Sequence, residues 1–569
     1  MKASIMDVYQ QFIWKGELDD LAAHLYDSPP ITMGALAEKV PALLQRYSKT
    51  DWHKEERLEQ TARALREANR KLGILTPKVK DAIDHLRKGA VEAAHQSVAM
   101  GGPCYILNKA ATARSIATFG SSNDIRLIPY FFIADYDIVQ SELTNIRTPN
   151  AGQEGNLVSV PIQPGFEHSP VSMIPLPGKQ WYEQAEDSIR HSYRPLFKSV
   201  DGHARTLVEE RLEHALALTR WAYHNSDTLG EWSQRIIGRL MNLEGDLGVP
   251  LVPATDDAIR ELMTYGLEIL LARENRERFL AAHAEATSMI QSQEFKPGIG
   301  ARDSSFVPFF YECSGKYCNQ ARTELSYSLN GSKALLTGRC PICGDVIEIE
   351  INADSPDLSE VSDSLSLRVD SRQVAVDTLF PVVAHVGGPG ETAYYAQVIP
   401  AAKALDIPFP LFVRYPRIYF NTPWNESLAR VLRENDFPVI HHPEIFKTLG
   451  KVGRFKKKNR FDEMNESLAE FEESLFKVHT ELSNRHDELE AKRGSSEADE
   501  SLLLTKIDVE KYLSWAFGQF TQEKVSQEST WSWIEWVLNA GFPDLFGPYF
   551  RAHVDEMKNG ATYFVNFIL

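Results

Sequence analysis

The sequence is poor in cysteine, with only five in 569 residues. A disulfide-stapled scaffold needs a much denser set, so that class of secreted protein is excluded. Four of the five lie close together in the chain, between Cys313 and Cys343. Clustered cysteines in a long chain are typical of a metal site, and we therefore expect a cytoplasmic protein.

Long apolar runs and excess basic charge are also missing. No segment approaches the roughly 20 apolar residues that span a bilayer, and the opening residues MKASIMDVYQQ lack the basic and apolar regions of a signal peptide. With 61 Lys and Arg against 78 Asp and Glu, the net charge is -17. We therefore expect no membrane and no nucleic-acid partner. The length suggests about three or four domains.

The segment 372–420 carries the most organised pattern in the chain. An apolar run of strand length, residues 378–386, leads into Gly387, Gly388 and Gly390, and a helical pattern begins at Glu391. A second strand is predicted at 410–413, which gives a βαβ unit. Glycines at such a junction let a ligand approach the backbone, and the first amides of the helix point at it. A plain tight turn explains the same glycines equally well.

A second glycine loop occurs near residue 100. Gly101 and Gly102 precede a predicted helix at 105–119, and Gln96 stands just before the loop. Lys109 lies in the first turns of that helix, where its charge and the free amides would favour an anion. A simply solvated Lys109 is the alternative.

Acidic residues follow the next predicted strand, 128–134. Asp135 and Asp137 come directly after it, and Glu142 is five residues further on. Ligands of open α/β sheets bind at the carboxyl ends of strands, which favours a functional role for Asp137. An Asp at a strand end can also serve only as the N-cap of the next helix.

The clustered cysteines form a C-x4-C … C-x2-C arrangement from Cys313, Cys318, Cys340 and Cys343. The second pair stands in Arg-Cys-Pro-Ile-Cys-Gly, which has the form of a zinc knuckle, and alternating residues predict strands around it. This pattern indicates a zinc ribbon with structural Zn²⁺, because four thiolates leave no open coordination position. The first spacing is looser than usual, and unmetallated cysteines are the alternative.

The tail contains a heptad pattern. Apolar residues recur in steps of three and four from Phe461 to Leu489. About four heptads predict a coiled-coil seam, packed either against a partner chain or against a later helix at 506–520. The Trp-rich stretch 531–550 is too apolar for a free tail and is expected to pack.

Several motifs resemble one known family. The most specific are Asp377-Thr378-Leu379-Phe380-Pro381, Val386-Gly387-Gly388-Pro389-Gly390-Glu391 and Ala393-Tyr394-Tyr395-Ala396-Gln397. Matching pieces in the same order are Ala64-Leu65-Arg66-Glu67-Ala68-Asn69, Gln96 with Gly101-Gly102-Pro103, Tyr105 and Lys109, Ile133-Ala134 with Asp137 and Glu142, residues 248–253, and Phe546-Gly547-Pro548. Together they resemble the cysteine-adding ligases of bacillithiol biosynthesis, the BshC family, over nearly the whole chain.

The resemblance and the cysteine pattern together imply an α/β fold: a Rossmann-like parallel-sheet core with helical insertions, a zinc-ribbon insertion and an α-helical coiled coil that forms a homodimer. The predicted regions are an N-terminal helical region (1–90), the first part of the core with connecting helices (91–307), the zinc ribbon (308–352), the second part of the core (353–450), the coiled coil (451–525) and a C-terminal helical segment (526–569).

The implied reaction joins the carboxyl group of cysteine, or a related amino acid, to the amine of glucosaminyl-malate or a similar amino sugar. Amide formation in water is uphill, so the carboxyl must be activated, and ATP or ADP is the expected nucleotide. Asp137, Glu142 and His385 are predicted as catalytic, with His385 taking a proton from the attacking amine. A packed strand histidine is the alternative for His385.

The predicted substrate- and nucleotide-binding residues are Gln96, Gly101, Gly102, Tyr105, Lys109, Arg372, Gly387, Gly388, Gly390, Glu391, Tyr394 and Gln397. Arg372 would hold a carboxylate or phosphate by a bidentate pair, or else form a structural ion pair.

The chain departs from the family pattern at three places. The family's strand end reads Glu-Asp-His-Asp, whereas Tyr136, Asp137, Ile138 and Val139 stand here; His95 replaces a usual glycine; and the cysteine cluster is an addition. A second hypothesis is therefore a non-catalytic nucleotide- or sugar-binding protein that recruits a partner through the ribbon and the coiled coil. A tRNA-aminoacylating enzyme is disfavoured by the acidic charge and by the absence of a His-Ile-Gly-His-type motif at the first loop.

Overall fold

The computed structural model describes residues 9, 20–122, 124–149, 156–434, 436–439, 442–458, 460–492, 527–554, 559–567 and 569. Its helices are α1 (Asp20–Tyr26), α2 (Met33–Tyr47), α3 (Glu55–Lys71), α4 (Pro77–His85), α5 (Tyr105–Gly120), α6 (Ser141–Thr144), α7 (Lys179–Phe197), α8 (Gly202–His224), α9 (Leu229–Arg239), α10 (Asp257–Leu271), α11 (Arg273–Ser292), α12 (Arg372–Asp377), α13 (Pro389–Lys403), α14 (Pro423–Glu434), α15 (His442–Lys457), α16 (Phe461–Lys492), α17 (Gln527–Thr530), α18 (Trp533–Ala540) and α19 (Gly547–Ala552).

The strands are β1 (Ala90–Gln96), β2 (Ile128–Ala134), β3 (Asn145–Thr148), β4 (Asn156–Ser159), β5 (Leu251–Pro253), β6 (Phe309–Glu312), β7 (Arg322–Glu324), β8 (Ser326–Asn330), β9 (Lys333–Arg339), β10 (Val346–Asn352), β11 (Leu365–Leu367), β12 (Val382–Gly387), β13 (Leu411–Arg414), β14 (Arg417–Asn421) and β15 (Thr562–Asn566).

The core is a five-stranded sheet with the order β13-β12-β1-β2-β5, and every neighbouring pair in it is parallel. If these five strands are numbered along the chain, the order from the β5 edge is 3-2-1-4-5, as in a Rossmann fold. The predicted α/β class with a Rossmann-like parallel core is thereby confirmed. The direction of strand addition reverses between β1 and β12, and such a reversal leaves a crevice at the carboxyl ends of the two strands.

Helices cover both faces of this sheet, which explains why most residues of its strands are apolar. Helix α5 packs against β1, β2 and β12 and is itself covered by α2, while α13 packs against α11 and α1. Every residue of β12 is buried, and so are the first five of β1. Within these buried runs, Glu92 and His385 are the residues with titratable side chains. They lie directly beside each other on the neighbouring strands β1 and β12.

One predicted boundary differs from the structure. The apolar run 378–386 was predicted as a strand, but β12 begins only at Val382, and the chain before it forms the short helix α12. Thr378 and Leu379 continue the last turn of that helix through hydrogen bonds to Ala375 and Val376. Pro381 disfavours helical geometry at the residue before it, so the extended chain starts there.

The cysteine segment folds into small antiparallel sheets. Strands β8, β9 and β10 form one sheet, and β6 lies between β7 and β11 in another. The β9–β10 hairpin pairs Arg339 with Val346, so its turn contains Cys340 and Cys343. The predicted strand alternation is present, since Ile347 and Ile351 are buried on one face of β10.

The heptad residues lie on α16, which contacts the preceding helix α15. The guanidinium of Arg485 donates to the carbonyl of Asp436, just before α15, so the two helices run antiparallel. Met464, Phe471 and Leu482 of the seam are buried. The predicted returning helix at 506–520 lies outside the described residues, and the coiled coil and its dimer stay predictions.

The Trp-rich C-terminal stretch packs into the core, as expected: Trp531, Trp533 and Trp536 are each at most 1% exposed. Its last strand, β15, pairs in parallel with β14. Among the helices that the structure describes, none combines the length and the apolar character required to cross a bilayer.

Candidate active site and metal centre

The two predicted glycine loops leave the same edge of the sheet. Strand β1 ends at Gln96 and its parallel neighbour β12 ends at Gly387, so the segments that follow them enclose the crevice between these strands. The structure therefore brings Lys109 on α5 and Glu391 on α13 into direct contact across the point where the strand order reverses. In Rossmann-like proteins this is the place where ligands bind.

The glycines of the first loop are required by packing. Gly101 and Gly102 have φ angles of +83° and +79°, a region that L side chains rarely adopt. A Cβ on Gly101 would collide with Ile236 and lie 2.8 Å from Nε1 of Trp533. That indole nitrogen donates to the carbonyl of Met100 at 2.8 Å. The first loop is thus held in place by α18. Its two glycines make room for neighbouring side chains of the protein.

The second loop is held by an acidic residue. The backbone amide of Gly388, the N-cap of α13, donates to Oε2 of Glu391 at 2.6 Å. Nζ of Lys109 lies 2.6 Å from the same oxygen and donates to the carbonyl of Ala94 at 2.9 Å. Gly390 is exposed, and a Cβ there would meet only open space. The first turn of α13 is therefore accessible at Gly390.

A chain of buried charges continues from this pair into the sheet. Nε2 of His385 lies 3.4 Å from Oε1 of Glu391, and its Nδ1 lies 3.1 Å from Oε2 of Glu92, although neither contact is aligned as a hydrogen bond. Arg372 forms an ion pair with the other oxygen of Glu92 and donates to the hydroxyl of Tyr395 at 3.0 Å. The Tyr395 ring stacks on His385 with centroids 4.9 Å apart.

Neighbouring basic side chains keep both carboxyl groups ionised. Burial raises the pKa of Glu92, but Arg372 and His385 outweigh it and lower the pKa to about 2. Burial likewise opposes ionisation of Glu391, yet Lys109 and His385 hold its pKa well below the usual range. Glu391 is therefore a fixed negative charge at neutral pH and a weak base.

Aromatic side chains form part of the crevice wall. The half-buried rings of Tyr105 and Tyr415 stack with centroids 6.0 Å apart, and Nζ of Lys109 lies 5.8 and 6.0 Å from their centres. The hydroxyl of Tyr105 also hydrogen-bonds Nε2 of His95. Burial, reinforced by the charge of Lys109, lowers the pKa of His95 to about 4, so this ring is neutral near pH 7.

The acidic strand end connects the core with the cysteine insertion. Oδ2 of Asp137 accepts from Nε2 of Gln96 at 2.6 Å, and its Oδ1 accepts from Arg322 of β7 at 3.2 Å. Asp137 and Gln96 are half-buried at the carboxyl ends of neighbouring strands. Glu142 lies apart from them, exposed on the short helix α6.

Two predicted binding residues have structural partners instead of a free surface. Arg372 is 5% exposed and paired with Glu92. Of the two roles that the sequence allowed for Arg372, the structure therefore shows the structural ion pair. Gln397 is fully buried, donates to Thr287 Oγ1 and accepts from the amide of Ile299, both at 2.8 Å. Tyr394 is half-buried beside Tyr395.

The four cysteines of the insertion form a compact group. The sulfur atoms of Cys313, Cys318, Cys340 and Cys343 all lie within 4.8 Å of one another. Backbone amides point at three of them, and a Cβ on Gly315 would lie 2.8 to 3.4 Å from three sulfurs. This arrangement can hold one metal ion. The turns at residues 313–318 and 340–343 direct their four sulfur atoms towards one point.

Three residues of the site were missed by the sequence analysis. Glu92 had a local signal, because an acidic residue inside the apolar run Ala-Val-Glu-Ala-Ala is unusual for a buried parallel strand. Tyr415 and Arg322 had none, since each reaches the crevice or its edge only through tertiary packing.

The 3-2-1-4-5 sheet, with its charged side chains gathered where the strand order reverses, defines a Rossmann-like α/β protein. The family follows from comparison of the sequence: the model for the N-terminal Rossmann-like domain of the bacillithiol biosynthesis protein BshC matches residues 21–418, so the chain belongs to that family.

Two curated relatives are similar over most of the same region. Both carry the name "Putative cysteine ligase BshC". The protein of Lysinibacillus sphaericus is 23% identical over 400 residues, and that of Oceanobacillus iheyensis is 23% identical over 398. The aligned regions cover 68% and 69% of this chain and 65% and 66% of the relatives, so the match spans just under two thirds of their length.

Proposed function

We propose that this chain is a ligase of the BshC type, which joins the carboxyl group of cysteine to the amine of glucosaminyl-malate or a similar amino sugar. The proposal is carried by the Lys109–Glu391 pair, which is only 4% and 15% exposed and lies where the two glycine loops meet. A charge pair at this point of a Rossmann-like sheet is suited to a substrate with charges of both signs.

Anionic groups would bind at the start of α13. The exposed amide end near Gly390 carries the positive end of the helix dipole, and Lys109 adds a full positive charge beside it. A carboxylate or phosphate placed there would share Lys109 with Glu391. Tyr105 and Tyr415 would shield this contact from water, which strengthens it.

Glu391 would hold an ammonium group of a substrate. Because its pKa lies well below the usual range, it is a poor proton acceptor, and binding a cation is the role its charge favours. His385, which is fully buried between Glu391 and Glu92, would position Glu391 without touching the substrate. This assignment revises the proton-accepting role expected for His385.

Activation of the cysteine carboxyl would use ATP. The amine nitrogen then attacks the activated carbon, the new C–N bond forms, and the carboxyl oxygen leaves with the phosphate or nucleotide. The ammonium must first lose its proton, and solvent at the open side of the crevice would accept it. The accessible helix start at Gly390 supports nucleotide binding through its amides.

The metal would be structural zinc. Around zinc, four thiolates with metal–sulfur bonds of about 2.3 Å are separated by about 3.8 Å. The sulfur–sulfur distances of 3.6, 3.7 and 3.8 Å agree with this geometry. Four thiolate ligands fill the tetrahedron, so the ion would stabilise the insertion and leave the chemistry to the core.

A non-catalytic small-molecule-binding protein is the second candidate. It is favoured by the pairing of Asp137 with Arg322, which neutralises the carboxylate at the end of β2. At this strand end the chain also lacks the histidine and one of the carboxylates of the family pattern. Such a protein would bind the same molecules without joining them, and would recruit a partner through the ribbon and a dimeric α16.

Incubation of the full chain with cysteine, glucosaminyl-malate and ATP separates the two candidates. A ligase produces the cysteinylated sugar, detected by mass spectrometry, with ATP consumed in equal amount. Binding of the sugar in calorimetry without any product would support the second candidate. In a deletion strain, loss of the cysteinylated sugar with accumulation of its amine precursor would establish the same reaction in the cell.

A further inference from the structure

A cavity of about 660 Å³ lies between α11 and the ribbon strand β8. Arg276 and Leu280 of the helix line it on one side and Tyr327 and Ser328 on the other. Residues 302–304 form a further part of its wall. Its volume is within the range of about 300–1,000 Å³ that is usual for small-molecule sites. None of its lining residues belongs to the crevice described above, and three of its eleven lining residues, Tyr327, Ser328 and Leu329, come from the cysteine insertion.

Arg276 is a buried arginine that forms no ion pair with a carboxylate among the residues that the structure describes. It is 7% exposed, and one terminal nitrogen, Nη2, donates to the carbonyls of Ser304 and Phe306 at 2.7 and 2.8 Å. Its Nε is buried and makes no hydrogen bond within the described part of the chain. The guanidinium carbon lies 3.9 Å from the centre of the Tyr327 ring. Burial lowers the pKa of Arg276, as expected for a charge removed from water.

The other two arginines of the cavity are already neutralised. Arg302 donates to the buried carboxylate of Asp370 at 2.6 Å, and Arg273 lies 2.9 Å from Asp354. The remaining acidic residues of the cavity, Glu277 and Asp303, are exposed at its rim. Their charges favour the charged form of Arg276 from the rim, but neither residue forms an ion pair with it within the described residues, so the guanidinium can still take an anionic partner at the buried end.

We propose that this cavity binds a small organic anion whose carboxylate or phosphate group pairs with Arg276. The anion would supply a directly paired counter-charge, and a guanidinium offers the planar set of donors that such oxyanions prefer. The acidic rim would face the opposite end of the ligand and would favour hydroxyl or amine groups there. The proposal does not depend on the ligase reaction, because it concerns a different set of residues.

Calorimetry on the full chain tests this site with three separate probes: inorganic phosphate, ATP and malate. We expect at least one of them to bind, and Arg276→Gln to weaken its affinity tenfold or more. Arg278→Gln is the matched control, because it removes one positive charge from an exposed position on the same helix. The control should leave the affinity unchanged.

Two further variants show whether a probe binds in this cavity or in the crevice. They also keep the proposal testable if Arg276→Gln fails to fold. Ser328→Glu adds a negative charge at an exposed residue of the cavity wall and should also weaken binding tenfold or more. Lys109→Met alters the crevice and should leave this affinity unchanged. The proposal is overturned if no probe binds, if Ser328→Glu has no effect, or if Lys109→Met abolishes the binding while Arg276→Gln retains it.

Discussion

Arg322 and Asp137 join the cysteine insertion to the core: Nη1 of Arg322 donates to Oδ1 of Asp137 over 3.2 Å. The guanidinium also lies 5.5 and 4.3 Å from the ring centres of Tyr136 and Phe310. The other oxygen of Asp137 accepts from Gln96 at the end of β1. The strand β7, which follows the loop between Cys313 and Cys318, therefore fixes a carboxylate at the edge of the candidate site.

Replacing Arg322 by Met should destabilise the protein by about 2–4 kcal/mol, because the half-buried carboxylate of Asp137 would lose its ion-pair partner. Urea unfolding of the variant measures this change. The double variant Arg322→Met/Asp137→Asn should recover part of the loss, since no unpaired charge remains. Lys333→Met, which breaks an exposed ion pair of the same insertion, should cost less than about 1 kcal/mol. Equal losses in the two single variants would contradict the pairing.

Cys343→Ser should remove the bound metal, because it takes away one of four ligands. Metal analysis of the purified protein is expected to give about one zinc ion per chain for the wild type, and much less for the variant. The melting temperature should fall with it. Cys104→Ser is the control, since the thiol of this buried cysteine donates a hydrogen bond to the carbonyl of Ser532, away from the cluster. A wild-type protein purified without metal would refute the zinc assignment.

The local patterns of the sequence were sufficient for the βαβ unit around Gly387, apart from the start of β12, and for the hairpin. Glycine marks the end of β12 at Gly387, and the Cys340–Cys343 spacing predicts a turn between two strands, which the register of β9 and β10 confirms. The buried alternation of Ile347 and Ile351 agrees with that hairpin. These features depend on neighbours in the chain, which a sequence displays directly.

The partners of the site residues could not be predicted in the same way. Trp533 braces the first glycine loop through the carbonyl of Met100, 433 residues away, and no local pattern records such a contact. The sequence allowed Lys109 to be simply solvated, yet it is buried and pairs with Glu391, from a helix 282 residues further on. Arg372 is paired with Glu92 for the same reason. The sequence shows which residues carry charge, and the fold determines which of them remain available.

Lys109→Met should lower formation of the cysteinylated sugar at least tenfold, because the anion-binding charge at the start of α13 is lost. The variant should also be less stable, since Glu391 is left unpaired. In the double variant Lys109→Met/Glu391→Gln stability should recover, whereas activity should stay low, because both proposed substrate-binding charges are gone. Arg114→Met removes an exposed charge from the same helix and should keep full activity. Recovery of activity in the double variant would overturn the proposed binding roles of both Lys109 and Glu391.

Glu535 gives the protein a specific dependence on pH. It is 1% exposed, and burial raises its pKa from 4.5 to about 8, although the hydroxyl of Tyr193 donates to it at 2.9 Å. The folded state therefore binds this proton more tightly than the unfolded state does. Its contribution to stability is fully present below about pH 4.5 and is lost as the pH rises towards 8.

Glu535→Gln should remove this dependence, because glutamine can still accept the bond from Tyr193 but does not ionise. Near pH 5 the two proteins should unfold at similar urea concentrations. As the pH rises towards 8, the wild type should lose stability relative to the variant by roughly 1 kcal/mol per pH unit. The difference between the two curves isolates Glu535 from Glu528, whose pKa burial also raises to about 8. Parallel curves over this range would show that Glu535 titrates at the same pH in the folded and unfolded chains.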